Sequence, residues 1–473
     1  MPRNHRVRFR LPLFVLLPLL GACSDSREPC VRDSQAAFTP ADFLDEHLRA
    51  RRIDCGFQSS VSDVAVGADG TTWLRRGEYE DRGEDTFFFP PVKRLSQVDA
   101  EGGWRGELSL PDFVHHHVVH PSGELTVFGW EREEDPLAIQ VRRIRPDGTL
   151  VAQRRFTHAI PPEQRMDFIA LPNGALGRAQ LPESERNAAI MLARADGEEA
   201  VFLVALDGIR VGRLDARLET LWLSPVAPSV ALKDFSTWEQ MAAVGAPWVG
   251  WGLDVDEQHR VHVATPLMDL QRRAYVESFE REPTGATGRA FLLSSFSPSG
   301  ALVSARAVSA PTPQEIVGLV TRDGAFALGA SERALVGGRA SAPNLYLASG
   351  RLEGPPGDDL VRTLDVERDD EPSSFVACGQ ERYCFAGRNN FWQDSTDPEE
   401  REGQGFLLAV NARAELLGEF YLRGENGVRV LAAREGVGGS VVFAFSLDGS
   451  RTTGGPGSRA KSNETWVGIL PPP

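Results

Sequence analysis

Seven stretches of one form, further hairpins in the intervals between them, and a last strand left without a partner predict an all-β chain. The fold they specify is a β-propeller of seven four-stranded blades, with six as the alternative count, preceded by a short N-terminal helix. The stretches are "DVAVGADGTTWL", "HHVVHPSGELTVFG", "DFIALPNGALGRA", "GLDVDEQHRVHVAT", "VGLVTRDGAFALGA", "SFVACGQERYCFAG" and "VRVLAAREGVGGSVVFAF". Each joins two apolar runs through a turn rich in Asp, Asn, Ser or Gly, the pattern of a hairpin. The last turn position falls at Gly70, Gly123, Gly174, His259, Gly324, Glu381 and Gly439, so the spacings are 53, 51, 85, 65, 57 and 58 residues. Most intervals suit one four-stranded unit with generous loops. Second hairpins such as "VRRIRPDGTLVAQRRF" and "FLLSSFSPSGALVSARAV" supply the remaining strands.

Residues 1–22 come first in the chain. Arg3, Arg6, Arg8 and Arg10 precede the apolar run "LPLFVLLPLLGAC", which is too short to span a bilayer comfortably and ends in small residues before a cysteine, as a signal peptide does. "LLGAC" resembles the lipobox of bacterial lipoproteins, which implies that Cys23 becomes the lipidated first residue of the mature chain. Ser24 after it, by the same resemblance, implies the outer membrane. The leader holds four arginines and no acid, so its removal takes the net charge from −15 to −19. Such a surface repels nucleic acid and anionic headgroups, which leaves the acyl chains as the membrane anchor.

Residues 23–56 read as tether and helix. "TPADFLDEHLRARR" places Thr39 as N-cap and Pro40 at the first helical position. The propeller is expected over 57–473. Its last unit ends in the single strand "ETWVGILPPP", whose prolines cannot continue a ladder, and a ring avoids open edges, so the segment around "CGFQSSV" is expected to supply the missing strand.

The fourth copy resembles an NHL-type repeat, and the set as a whole is similar to the broad group of bacterial NHL-like propellers. Three departures stand out. His259 occupies a turn position where glycine is usual, "LYLASGRLEGPPGDDLVRTLDV" makes an irregular fifth unit, and the 85-residue third interval carries an insertion near "LKDFSTWEQMAA".

With Cys23 lipidated, four cysteines remain, an even number that suggests two disulfides in an oxidising compartment. Cys378 and Cys384 flank a polar turn between two β-like runs, where opposed Cα atoms come within bridging distance, and this leaves Cys30 for Cys55.

Alternation along "FVHHHVVH" puts His115 and His117 on one face and His116 on the other. Alignment of the repeats sets His117 level with Val64, an apolar core-edge position, and leaves His115 and His120 facing solvent. It sets His116 level with Asp63 and Asp167, with Asp254 one step inward. The resemblance implies that first strands line a central channel, so these four residues would ring one mouth and could hold a divalent cation, or cap strand ends. Trp248 and Trp251 are placed either to stack on a sugar or to pack between blades.

No GxSxG elbow, HExxH, Walker loop or strand-following GxGxxG occurs. The expected role is a binding or scaffolding module of the cell envelope, with an envelope protein or glycan as partner. The alternatives are a metal-dependent hydrolase resembling gluconolactonase-like propellers, or a glycan-binding protein.

Overall fold

The computed structural model describes residues 49–54, 59–78, 94–110, 113–130, 139–156, 167–170, 176–179, 189–205, 208–228, 230–232, 250–310, 314–332, 335–336, 339–340, 344–364, 370–389, 404–422, 428–447 and 464–471. Seven four-stranded antiparallel blades form a propeller, and their innermost strands are Ser59–Val66, Phe113–Val119, Ala189–Asp196, Gly252–Val255, Gln314–Arg322, Asp370–Ala377 and Val428–Glu435. Each inner strand lies against the next, and the seventh lies against the first, which closes the ring.

Eight of the hairpin turns share one geometry. At Gly67–Thr71, Asp99–Gly103, His120–Glu124, Arg145–Thr149, Asp215–Glu219, Asp256–Arg260, Ser297–Ala301 and Asn411–Glu415, the first N–H donates to the fifth carbonyl and the fourth N–H to the first carbonyl. The fourth residue takes a positive φ, as a three-residue loop with a glycine-type bulge requires. Asp99, Asp215, Asp256 and Asn411 also cap their own loops by accepting from the fifth residue's N–H. His259 adopts this conformation at φ 59° without being glycine. Contacts across the blade boundary offset the cost: its Nδ1 is 2.7 Å from Asp196, and its carbonyl accepts from Arg213 at 2.8 Å.

Packing follows from sheet twist and side-chain alternation: each blade buries both faces against its neighbours, so the core is divided among the blade interfaces. Trp73, Leu95, Val119 and Val127 pack between blades 1 and 2; Val201, Val211, Leu253 and Val263 between blades 3 and 4; Val61, Val64, Ala432 and Val442 between blades 7 and 1. Polar ties accompany the apolar contacts. Arg143 joins blade 2 to Glu198 of blade 3, Arg306 joins blade 4 to Asp359 of blade 5, and the Ser373 hydroxyl donates to the Val430 carbonyl across blades 6 and 7.

Two sequence expectations need correction, and a third unit keeps its irregularity inside a complete blade. The third hairpin, Asp167–Ala170 with Leu176–Ala179, pairs with Val230–Leu232 in a separate three-stranded sheet. Blade 3 is built instead from Ala189–Asp196, Glu199–Ala205, Ile209–Leu214 and Thr220–Ala227. Its inner hairpin turns through Gly197 and Glu198, a two-residue turn like that of Asp323 and Gly324 in blade 5. The irregular fifth unit forms a complete blade, its outer turn made by a short 3₁₀ segment, Pro356–Asp358. Finally, the closing strand is Arg49–Asp54, which pairs antiparallel with Glu464–Leu470. It lies just before "CGFQSSV" and takes in the end of the expected helix; residues 39–48 lie outside the described residues. Strand wins here because the last blade offers a full ladder of unpaired backbone groups and an apolar seat for Ile53, which is 1% exposed. The helix that is described, Asp269–Phe279, has no counterpart among the sequence expectations; it sits between the second and third strands of blade 4 and buries Tyr275.

Ile53→Ala should therefore destabilise the fold by about 2–5 kcal/mol in urea unfolding, whereas Leu221→Ala, on an exposed outer strand, should stay within about 0.5 kcal/mol. Equal small effects at both positions would mean that the closing strand is not part of the cooperative core.

Candidate functional site

Six of the inner strands carry a bulge at one shared position: Ser62, His115, Met191, Val317, Ser373 and Leu431 each drop out of the pairing with the second strand. A bulge adds one residue and resets the alternation, so only residues beyond it keep the two-residue period. His116 and His117 therefore face opposite sides of the sheet, and His115 is decoupled from both. Immediately after the bulge stand Asp63, His116, Leu192, Gly318, Ser374 and Ala432, with Gly252 at the same register in blade 4.

This level faces the next blade's inner strand. A Cβ on Gly318 would approach the Phe375 carbonyl oxygen to 2.2 Å, and the Ser374 hydroxyl accepts the Ala433 N–H at 3.0 Å. Asp63 follows the same rule and reaches blade 2, with Oδ2 standing 3.6 Å from both His116 Nδ1 and His117 Nδ1. Its Oδ1 accepts from Arg434 Nη2 at 2.8 Å and from the Val64 N–H at 3.0 Å. The structure thus brings Asp63 and His116 together, and adds an arginine from blade 7 that the repeat alignment does not single out.

Burial alone would raise the Asp63 pKa, but the Arg434 guanidinium and the two imidazoles more than offset it and hold the carboxyl well below the usual range. Burial pushes the His116 and His117 pKa values down despite the nearby carboxylate. Burial, together with the Arg75 charge, takes His115 to about 4. His117 donates from Nε2 to the Trp73 carbonyl of blade 1 at 3.0 Å and is 3% exposed, so it lies between blades.

Asp254 is one step further along, level with Ala65, Val118, Arg194, Val320, Val376 and Arg434. Its Oδ2 accepts from the Thr321 N–H at 2.6 Å and from the Thr321 hydroxyl at 2.9 Å, and burial raises its pKa. Asp167 is not in the ring: it starts the strand Asp167–Ala170 of the separate sheet. Among the described residues no group of three or more His, Cys, Asp or Glu side chains is placed to hold a metal ion. Where a cation would have sat beside Asp63, the Arg434 guanidinium supplies the positive charge.

His120, expected at the surface, is 1% exposed. Its Nδ1 donates to the Gly197 carbonyl of blade 3 and its Nε2 accepts from Thr126, so it ties the blade 2 turn to the neighbouring blade. A second histidine brace has the connectivity of a nucleophilic relay: Ser295 donates to His262 Nδ1 at 2.9 Å, and His262 Nε2 donates to Asp256 at 3.0 Å. His262 is fully buried and Ser295 nearly so, while Asp256 also holds Arg260, which leaves the hydroxyl without access to a substrate. The trio fastens a turn to the second and third strands of blade 4.

Trp251 is half-buried in the core between blades 3 and 4, and Trp248 lies outside the described residues. Cys378 and Cys384 form a disulfide with Cα atoms 5.7 Å apart, buried at the interface of blades 6 and 7. Cys23, Cys30 and Cys55 lie outside the described residues.

No family model and no curated protein matches the chain. Among solved structures, it is similar to the polysaccharide lyase Uly1 at 8% identity over 87% of this chain and 90% of that one, with a TM-score of 0.44. It is similar to YCF48 bound to D1 peptide at 10% identity over 90% and 96%, with a TM-score of 0.43. Likeness to puromycin hydrolase is 14% identity over 70% of this chain and 43% of that one, with a TM-score of 0.35.

The lowered histidine values fix a pH dependence. An unfolded histidine titrates near 6.5, above its folded value here, so the unfolded chain binds more protons below that pH. The stability contributed by His115, His116, His117, His120 and His262 is fully present above about pH 6.5 and declines as the pH falls toward 4; the depressed Asp63 adds a further loss below about pH 3.8. Urea midpoints should accordingly fall between pH 7 and 5, by less in a His120→Gln variant. A flat profile across that window would contradict the buried, neutral state of these rings.

Proposed function

We propose that the protein is a lipid-anchored propeller of the cell envelope that binds or scaffolds a partner there. The observation that carries the binding reading over the hydrolytic one is the pairing at Asp63. A metal-assisted hydrolase must turn carboxylates and imidazoles toward an exchangeable cation and its water. Here the Asp63 carboxylate is turned toward Arg434 and the blade 2 histidines, and Asp254 is held by Thr321. Replacing that arginine by a metal would break an ion pair whose acidic side is buried. The basic leader, "LLGAC" and the acidic mature surface support attachment through Cys23, with the outer membrane as the site indicated by Ser24. An envelope protein or a glycan fits such an address; nucleic acid does not.

Detergent-solubilised full-length protein, assayed on ester and lactone substrates with calcium, magnesium, manganese or zinc, should show no turnover that Asp63→Ala abolishes. Native mass spectrometry of protein extracted from its own membranes should show a discrete bound partner. Metal-dependent turnover lost in Asp63→Ala would overturn the binding reading. Cys23→Ser should move the chain to the soluble fraction; a variant that still resists carbonate washing would overturn the anchor.

A further inference from the structure

Successive strands of each blade are antiparallel, so the first-to-second turn and the third-to-fourth turn lie at the same end of the blade. Contacts between neighbouring turns, His120 to Gly197, Asp196 to His259 and Arg260 to Glu353, gather these ends on one side of the ring, the turn face. The closing strand begins there too. Arg49 pairs with Ile469, Ile469 pairs with Val442, and Val441 is the first residue after the blade 7 turn at 436–440. The chain that leads from Cys23 therefore reaches the propeller at its turn face, and residues 24–48 can span at most about 90 Å.

The most exposed large apolar side chains of the described residues, each 43–58% exposed, stand at this same face. Leu150 and Val151 open the outermost strand of blade 2 directly after its turn, and Leu416 and Leu417 do so in blade 6. Leu221 and Val303 stand second in the outermost strands of blades 3 and 4, and Val437 lies in the inner turn of blade 7. At the far ends of two of these strands, Phe156 and Tyr421 are half-buried. Scattered exposure would populate both ends of the strands, whereas confinement to one end marks a surface that something covers.

The turns among these side chains are polar and partly matched within the face. Asp99 pairs with Arg105, Glu124 and Glu198 with Arg143, Asp256 and Glu353 with Arg260, and Glu435 with Arg322. Further acids at Asp69, Asp147, Asp215 and Asp323 leave the face acidic. Such a surface suits zwitterionic headgroups and is repelled by anionic ones.

We propose that the turn face lies on the zwitterionic surface of the bilayer that holds the anchor, with the leucines and valines of the outermost strands set among its headgroups. This rests on the lipid anchor proposed above. Anchoring makes the contact intramolecular, so a rim of single side chains, too sparse to hold a free protein on a membrane, is enough to orient a tethered one. The opposite face is then turned away from the bilayer and left open to a partner.

The test is hydroxyl-radical footprinting, read by mass spectrometry, of the full-length lipidated protein in phosphatidylcholine–phosphatidylethanolamine vesicles, with the Cys23→Ser chain in solution as reference. Oxidation of Leu150, Leu221, Leu416 and Leu417 should fall about threefold or more in the vesicles, while Phe156 and Tyr421 change little. Adding phosphatidylglycerol should weaken this protection at low salt, and salt should restore it; protection that rises with phosphatidylglycerol would overturn the proposal. Leu150→Ser, Leu221→Ser and Leu417→Ser combined alter exposed positions only, so the variant should fold and float with the vesicles yet lose the protection of Val303 and Leu416. Equal protection at both ends of the strands, or none at the turn face in protein that floats with the vesicles, would overturn the docking alone. Protection present in native membranes and absent from pure lipid vesicles would show that a protein covers the face, and would overturn the bilayer as its occupant. Full-length protein that floats no more than Cys23→Ser would overturn the anchor, and the docking with it, so the two failures are distinguishable.

Discussion

Closure of the ring is the constraint on which everything else rests. Six of the seven blade interfaces join segments that follow one another in the chain, so they can form as local structure grows. The seventh joins blade 7 to blade 1, and its outermost pairing brings Arg49–Asp54 to Glu464–Leu470 across almost the whole sequence. Without that strand, Glu464–Leu470 would present an open ladder edge, and Ile53 would leave a gap among Val61, Val98 and Val467. The loop entropy of so distant a contact grows only slowly with chain length, so a six-residue strand with a buried isoleucine can outweigh it.

The same seam explains the chemistry near the start of the inner strands. Arg434 comes from blade 7, Asp63 from blade 1, and His116 and His117 from blade 2, so one carboxylate ties three successive blades across the point of closure. In a partly desolvated setting these charges interact more strongly than at the surface, and removing one partner would leave another buried and uncompensated. A carboxylate fixed in this way contributes to holding the ring and is poorly suited to exchange a metal.

The architecture is legible in the sequence because hairpin turns are written locally. Six of the seven marker positions, Gly70, Gly123, His259, Gly324, Glu381 and Gly439, have positive φ, and the non-glycines among them announce themselves only by alignment. Gly174 lies outside the described residues. Blade 3 is misread although its turn is written in the sequence: "ARADGEEAVFLVAL" holds an Asp-Gly as the two-residue turn of blade 5 does, but "DFIALPNGALGRA" shows the same kind of turn residues without a place in a blade. The site is half legible. Register places Asp63 level with His116, but the partner that decides its chemistry, Arg434, lies 371 residues away and is joined to it only by closure. His120 escapes the sequence for a related reason, since its acceptor, the Gly197 carbonyl, belongs to the next blade.

Amide hydrogen exchange across the seam tests the claim of closure most directly, because exchange reports the free energy at which each strand opens. If the ring closes as described, the backbone amides of Arg49–Asp54 that bond to Glu464–Leu470 exchange together with those of the last strand, at a protection approaching that of the inner strands, and both respond alike to denaturant. Rapid exchange of Arg49–Asp54 while Glu464–Leu470 and the inner strands stay protected would contradict the account, since the ring would then hold without its closing strand.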